Sequence, residues 1–502
     1  MTARSCSRRP RFANPLEPEA SSPPLPGRPN ILVLMGDEHQ ARALGCAGHA
    51  VAQTPHLDAL AARGTRFTRA WTPSPICVPA RAAFATGRYV HEVGAWDSAQ
   101  AWSGEPAGWP HRLRDSGYDV VSFGKLHHRS GADDDGFTDR VLPMFIAGGV
   151  GWLQGLPRRE PLPYDEASEL ANDVGSGETT YTHYDRRVTE AAVEWIGDRG
   201  AGSAETAQPW CAFVSLVAPH YPLSAPDVFT DLYPLADVPP PEIGLVDEPH
   251  AAVREMQAFF DYGRWFDDDL TQRGRQSYFA LVSWLDHNVG QVLGALEATG
   301  QLDDTLVIYT SDHGEMAGNR GLWCKSFMYR DSVDVPMIMA GPGVRAGGVC
   351  DTEVNLVDVA ATVQEAAGLP GAHDASLRAI ASAPTDESRV GFSEYHDGGS
   401  ITGSFAVRRG AWKYVEHVDH APQLFHVAED PDELVDLGAS ALHRAERDAM
   451  AAALREVVDP EQANSAAFAS QARLLAKHGG REGVARAFRF NHTPIPGDES
   501  SS

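Results

Sequence analysis

Cys77 stands on a proline-punctuated turn, Ser74-Pro75-Ile76-Cys77-Val78-Pro79-Ala80-Arg81, directly ahead of an alanine-rich stretch. Pro79 suits a first helical position, where a missing N–H costs nothing; Ala82, Ala83, Phe84 and Ala85 favour helix, and Gly87 can end it. The spacing therefore predicts a helix N-terminus at Cys77. Free backbone N–H groups and the positive end of the helix dipole favour an anion there, and Arg81, about one turn on, adds a permanent charge whose donor fork suits a tetrahedral oxyanion. A cysteine buried merely as a small hydrophobe would sit in the same local pattern. Two aspartates elsewhere, Asp37 and Asp312, offer hard oxygen ligands for a divalent cation such as calcium, magnesium or manganese. Each of them taken alone fits equally the capping of a strand-to-helix turn.

Elements that could bring these residues together are visible in the hydrophobic pattern. Ile31 to Met35, Tyr118 to Phe123, Trp210 to Val217 and Thr305 to Thr310 are apolar runs of strand length, the first continuous enough for a strand buried on both faces. Each is followed within a few residues by polar groups able to bind a metal or an anion: Asp37-Glu38-His39, Lys125-Leu126-His127, His220, and Asp312-His313. Strands separated by helices make parallel sheets, and such sheets place ligands beyond the strands' carboxyl ends, so these residues should converge on one rim. Leu57 and Leu60 mark a short helix between Thr54-Pro55 and Gly64, and the apolar stripe through Phe279, Leu285, Val289 and Val292 predicts a helix over 274–298.

The region 221–272, with Pro239-Pro240-Pro241 and Asp267-Asp268-Asp269, reads as irregular and as a loop or lid over the site. Val335 to Ala340 reads as a further buried strand, and 405–415 with 423–427 as hairpin strands of a small antiparallel subdomain. The fold class expected is α/β, a large mostly parallel sheet sandwiched by helices, with a smaller C-terminal antiparallel α+β subdomain. Its expected organisation is a disordered tail over residues 1–28, a catalytic domain over 29–385, the C-terminal subdomain over 386–455, and a helical segment and tail over 456–502.

Cys77-Val78-Pro79-Ala80-Arg81 matches completely the Cys-x-Pro-x-Arg signature of the type I sulfatases, and Thr86-Gly87-Arg88 follows it as in that family. Over residues 29 to about 430 the chain resembles these members of the alkaline phosphatase superfamily. Asp312-His313 is similar to the family's later metal-binding pair, and Asp37 to the ligand of its first cluster. Glu38 departs from the commonest Asp-Asp form, and both a metal-ligand role and a surface role stay open for it. Gly124-Lys125-Leu126-His127 resembles the family's Gly-Lys-x-His, Pro219-His220-Tyr221-Pro222 its Pro-His-x-Pro, and Lys325 its late active-site lysine.

The resemblance implies an alkaline-phosphatase-like fold and hydrolysis of a sulfate monoester to an alcohol or phenol plus inorganic sulfate. It implies that Cys77 is converted to formylglycine by a formylglycine-generating enzyme. One divalent ion, calcium foremost with manganese or magnesium as alternatives, would be held by Asp37, Asp312, His313 and position 77. By the same analogy the hydrated formylglycine is a geminal diol, one hydroxyl attacking sulfur and the other expelling sulfate. Arg81, Lys125, His127, His220 and Lys325 would neutralise the sulfate oxygens and the leaving oxygen, with His127 or Lys125 assisting the nucleophile and His220 or Lys325 the leaving group.

Two competing readings remain: a phosphonate monoester or phosphodiester hydrolase of the same superfamily, and a noncatalytic metal- and anion-binding protein with unmodified Cys77. The 502-residue chain carries 42 Lys and Arg against 68 Asp and Glu, a formal charge of -26, which argues against nonspecific nucleic-acid or anionic-membrane binding. An anionic substrate therefore needs a local cationic pocket. The six cysteines show neither Cys-x-x-Cys pairs nor a disulfide framework, which with the absence of an export h-region points to a cytoplasmic protein. Homo-oligomerisation stays open. Aromatic residues make up 9% of the chain, enough for a cage around a quaternary ammonium such as that of choline sulfate, though the strand-end logic does not say which aromatics would face it.

Overall fold

The computed structural model describes residues 27–200, 208–370, 376–487, 489 and 492–496. Apart from residues 27 and 28, the tail expected at the N-terminus lies outside this set, as do residues 497–502. The central sheet has eight strands: β1 (Asn30–Asp37), β2 (Gly64–Phe67), β3 (Asp119–Lys125), β4 (Asp139–Met144), β5 (Trp210–Pro219), β6 (Thr305–Ser311), β7 (Met337–Ala340) and β8 (Gly348–Cys350). Their spatial order is β8-β2-β7-β6-β1-β5-β3-β4. The block from β6 to β4 is parallel throughout, while β7 runs antiparallel to both β6 and β2. The four apolar runs are thus neighbouring central strands. The fifth, Val335 to Ala340, is a strand of the opposite sense.

Alternation along β1 shows why its run is unbroken. Leu32 and Leu34 enter the core on one face, with helices α1 (Pro55–Arg63), α3 (Thr180–Gly200) and α5 (Asp268–Ala298). Ile31, Val33 and Met35 enter the core on the other, with Phe84 of α2 (Cys77–Thr86) and with Val359 and Val363 of α6 (Val357–Ala366). Full burial of each such aliphatic side chain contributes about 1.5–3 kcal/mol. Helix α5 starts six residues earlier than the periodicity implies, because the Asp267 carboxylate accepts from the Leu270 N–H and caps it. The acidic run placed in an irregular segment is therefore a cap and first turn. The rest of 221–272 is also more ordered than expected, containing α4 (Ala251–Phe260), whose buried face includes Val253, Met256 and Phe260.

A second, antiparallel sheet follows: β9 (Gly391–Tyr395), β10 (Ser404–Arg409), β11 (Trp412–His417) and β12 (Gln423–His426). It shares a core with helix α7 (Arg444–Val457) and with Ala83 of α2, through Phe392, Phe405, Val407 and Leu454. Helix α2 is consequently buried along its whole length, between the central sheet and this second sheet. Among the described residues, no helix is long and apolar enough to cross a membrane.

Candidate active site

Parallel pairing sets Gly36 of β1 opposite Ser311 of β6, so the residues that follow, Asp37 and Asp312, emerge side by side. Helix α2 approaches the same rim with Cys77 as its first residue, two positions earlier than a start at Pro79 would give. One ligand atom from each of Asp37, Cys77, Asp312 and His313 lies within 4.8 Å of the others, and all four residues are buried. His313 Nδ1 faces the Gly314 carbonyl at 3.0 Å, which places its proton there and leaves the Nε2 lone pair towards the cluster, 3.1 Å from Cys77 Sγ and 3.7 Å from carboxylate oxygens of Asp37 and Asp312. Two carboxylates, an oriented imidazole and one further donor fit a divalent cation.

Arg81 is buried beside the cluster. Its Nε donates to Asp312 at 2.7 Å, one terminal nitrogen to Asp37 at 3.1 Å, and the other to the Lys125 carbonyl and Ser215 Oγ at 2.8 and 2.9 Å. Two of these bonds hold the two carboxylates in register, and Arg81 is not among the residues lining the cavity in front of the cluster. Burial opposes ionisation of Asp37, but Lys125, His220, Arg81 and Lys325 hold its carboxyl well below the usual range.

In front of this cluster opens a cavity whose floor includes Cys77, Lys125, His127, His220 and Lys325. Lys125 ends β3 and pairs with Asp37. The glycine before it is required: Gly124 has φ +89°, and a Cβ there would lie 2.2 Å from the Ser215 carbonyl oxygen. Gly124→Ala should therefore destabilise the fold by about 2–4 kcal/mol and displace Lys125. An unchanged denaturation midpoint in that variant would contradict the close approach. His127, at φ +54°, has both ring nitrogens buried without a hydrogen-bond partner, which leaves them available to a ligand. Burial, with Lys125 and Arg81 adding to it, pushes its pKa well below the ordinary histidine value.

His220 is also held neutral, by burial and by the two lysine ammonium groups, and its Nδ1 lies 2.7 Å from the Tyr221 carbonyl. Lys325 comes from a loop tied to the Cys77 turn by the Ser326 N–H, which donates to the Pro75 carbonyl at 2.9 Å. Burial alone would depress its ammonium, but Cys77, Glu38 and Tyr221 carry it well above the ordinary value. Its partner Glu38, at 2.9 Å, is fully buried, which rules out the surface role. The Cys77 thiol is pushed up to about 12 by burial and by the Asp37 carboxylate, so it is protonated at neutral pH and a poor nucleophile as it stands.

The walls were not legible in the sequence. Trp152, Tyr164, Tyr181, Tyr221, Phe260, Tyr262 and Tyr395 line the cavity, drawn from the loop after β4, helix α3, the segment after β5, the end of α4 and strand β9. The second sheet thus contributes directly to the site through Tyr395. Ser98, Ser326, His492 and Thr493 add polar edges. Neither Asp nor Glu lines the cavity among the described residues.

The family model described as Sulfatase matches residues 29–369, and that described as N-sulphoglucosamine sulphohydrolase, C-terminal, matches residues 318–459. A choline-sulfatase of Rhizobium meliloti (strain 1021) is 32% identical over 425 residues, covering 82% of this chain and 82% of that protein. Arylsulfatase K of Danio rerio is 30% identical over 439 residues, covering 82% and 80%. Among solved structures, a phosphonate monoester hydrolase of Agrobacterium radiobacter superposes with TM-score 0.68 at 21% identity, covering 86% of this chain and 95% of that one. A protein solved with its substrate D-glucosamine-2-N,6-O-disulfate also gives TM-score 0.68 at 21% identity, covering 86% and 97%. These two likenesses are ones of fold.

Proposed function

The chain belongs to the sulfatase family and is a sulfuric ester hydrolase, and from that premise we propose that Cys77, converted to formylglycine, attacks the sulfur of a compact organic sulfate. The observation that carries this reading is the position of Cys77, between the donor cluster of Asp37, Asp312 and His313 and the cationic floor of Lys125 and Lys325. Formylglycine, once hydrated, supplies two hydroxyls on one carbon where a buried protonated thiol offers neither. A divalent ion held by Asp37, Asp312 and His313 would supply a Lewis acid beside position 77. Calcium and manganese both suit the donor set, the carboxylates favouring the former and the imidazole the latter.

The remaining work falls to the protein's own groups. Lys125 and Lys325 bring positive charge to the sulfate oxygens inside a chain of formal charge -26. Of the two residues expected at the leaving oxygen, Lys325 holds the proton. Neutral His220, with its Nδ1 proton directed at the Tyr221 carbonyl, presents the Nε2 lone pair and is suited to accept rather than give. Lys325 is therefore the donor that meets the charge developing as the ester bond breaks. Lys325→Ala and Lys125→Ala should each weaken competitive inhibition by inorganic sulfate and lower kcat by about 10²–10³-fold. Wild-type kinetics in both variants would remove the cationic floor from the mechanism.

The seven aromatic side chains support an organic group that binds π faces, either an aryl ring or a quaternary ammonium. The names of the relatives, choline-sulfatase and arylsulfatase K, agree with both. Sulfate release should be measured from aryl, choline and sugar sulfates. Turnover confined to sugar sulfates would overturn the aromatic-pocket reading, and preference for phosphonate or phosphate esters would overturn the choice of sulfate. Maturation by a formylglycine-generating enzyme follows from the same proposal. A cytoplasmic location is supported by five described cysteines that are all unpaired.

A further inference from the structure

Glu38 lies outside the cavity lining and outside the four-donor cluster, yet it is fully buried and touches two residues of the cavity floor. Its Oε2 is 2.9 Å from Lys325 Nζ and 3.5 Å from His220 Nε2. The backbone that carries it is locked. Its φ of +70° is a left-handed conformation seldom held by a residue with a Cβ, its N–H donates to Asp312 Oδ1 at 3.2 Å, and its carbonyl accepts from the Tyr278 hydroxyl at 2.9 Å. Lys325 and His220 are held on their other sides by one residue, Tyr221: its ring lies 5.2 Å below the ammonium and 4.0 Å from the imidazole centroid, and its carbonyl takes the His220 Nδ1 proton.

We propose that Glu38 is a positioning residue, clamping the Lys325 ammonium so that the donor faces the leaving oxygen of the ester. The inference rests on the sulfatase reading above, in which Lys325 meets that oxygen. The physical case is entropic. A lysine side chain has four rotatable bonds and a point charge with no preferred fork, so without a fixed partner its ammonium samples many places in a cavity open to water. Glu38, on a rigid turn directly after Asp37, the last residue of β1, fixes the ammonium relative to the cluster that holds Cys77. Glu38 acts through Lys325 and is not itself placed against the substrate.

Such a role has a signature that mere structural support lacks. A nitrophenolate leaves without assistance, whereas an alkoxide or a basic phenolate needs the donor. Wild type, Glu38→Gln and Glu38→Ala should be compared on a series of aryl sulfates of rising phenol pKa and on one alkyl sulfate, with metal content and thermal midpoint measured alongside. For Glu38→Ala, kcat on nitrophenyl sulfate is expected to stay within about threefold of wild type while alkyl sulfate turnover falls by about 10²-fold, the general-acid range. Glu38→Gln, which keeps the shape and one acceptor, should show the same steepening to a smaller degree. Metal content should be unchanged in both. An equal loss across the whole series, or loss of the ion, would overturn the proposal in favour of a structural or ligand role. If Glu38→Ala does not fold, the isosteric Glu38→Gln decides by the same slope. Failure of the wild-type protein itself to release sulfate from any ester would count against the sulfatase reading, separately from the behaviour of Glu38.

Discussion

Cys77→Ala is expected to lose turnover by of the order of 10⁴-fold or more while keeping the fold, because it deletes the attacking group and little else. Cys77 is buried among Ile76, Val78 and the floor of the cavity, and alanine fills most of its volume without a new polar group. The peptide carrying position 77 from active protein should contain an aldehyde in place of the thiol and react with a hydrazine probe. Cys77→Ser distinguishes the two steps of the chemistry. Its hydroxyl can take the sulfuryl group from the ester, the S–O bond to the alcohol breaking as the bond to serine forms. With a single hydroxyl on that carbon it cannot expel sulfate, so a sulfated serine should accumulate and intact mass should show it. An active protein whose Cys77 is an unmodified thiol would sink the mechanism and favour direct attack by a metal-activated water.

Asp312→Ala should lose the metal and, with it, essentially all turnover. The Asp312 carboxylate accepts from Arg81 Nε at 2.7 Å and from the backbone N–H groups of Glu38 and His313 at 3.2 and 3.0 Å, so its removal takes one of two carboxylates from a buried guanidinium as well as deleting a metal ligand. Loss of stability by about 3–5 kcal/mol is the expected side effect. Asp312→Asn separates the two consequences, since it preserves an acceptor for Arg81 and lowers the charge offered to the ion. Both variants should bind far less metal than wild type by elemental analysis. Chelation of the wild-type protein should abolish activity, and restoration by calcium or by manganese identifies the ion. Full metal occupancy in Asp312→Ala would refute the site.

The sequence by itself determined the elements whose causes are local. A run buried on both faces, such as Ile31 to Met35, must be apolar at every position. A strand that ends at a parallel sheet's carboxyl rim must hand its next residues to that rim, so sequence alone groups Asp37, Lys125, His220 and Asp312. The Cys77 motif likewise carries its own helix signal. Local pattern failed where a distant partner decides the outcome. Whether Arg81 meets substrate or carboxylates depends on Asp37, Lys125, Ser215 and Asp312, which come from four different strands or the turns after them. Sequence leaves both a metal-ligand and a surface role open for Glu38 because the lysine it contacts is 287 positions away. The sense of β7 is set by its pairing between β6 and β2, and an apolar tetrad reads the same in either direction. The aromatic walls are gathered from five separated segments whose individual patterns resemble ordinary core. Burial follows composition and period, which the chain carries locally; the pairing of charges and the lining of a cavity follow from which segments the tertiary fold brings within a few ångströms.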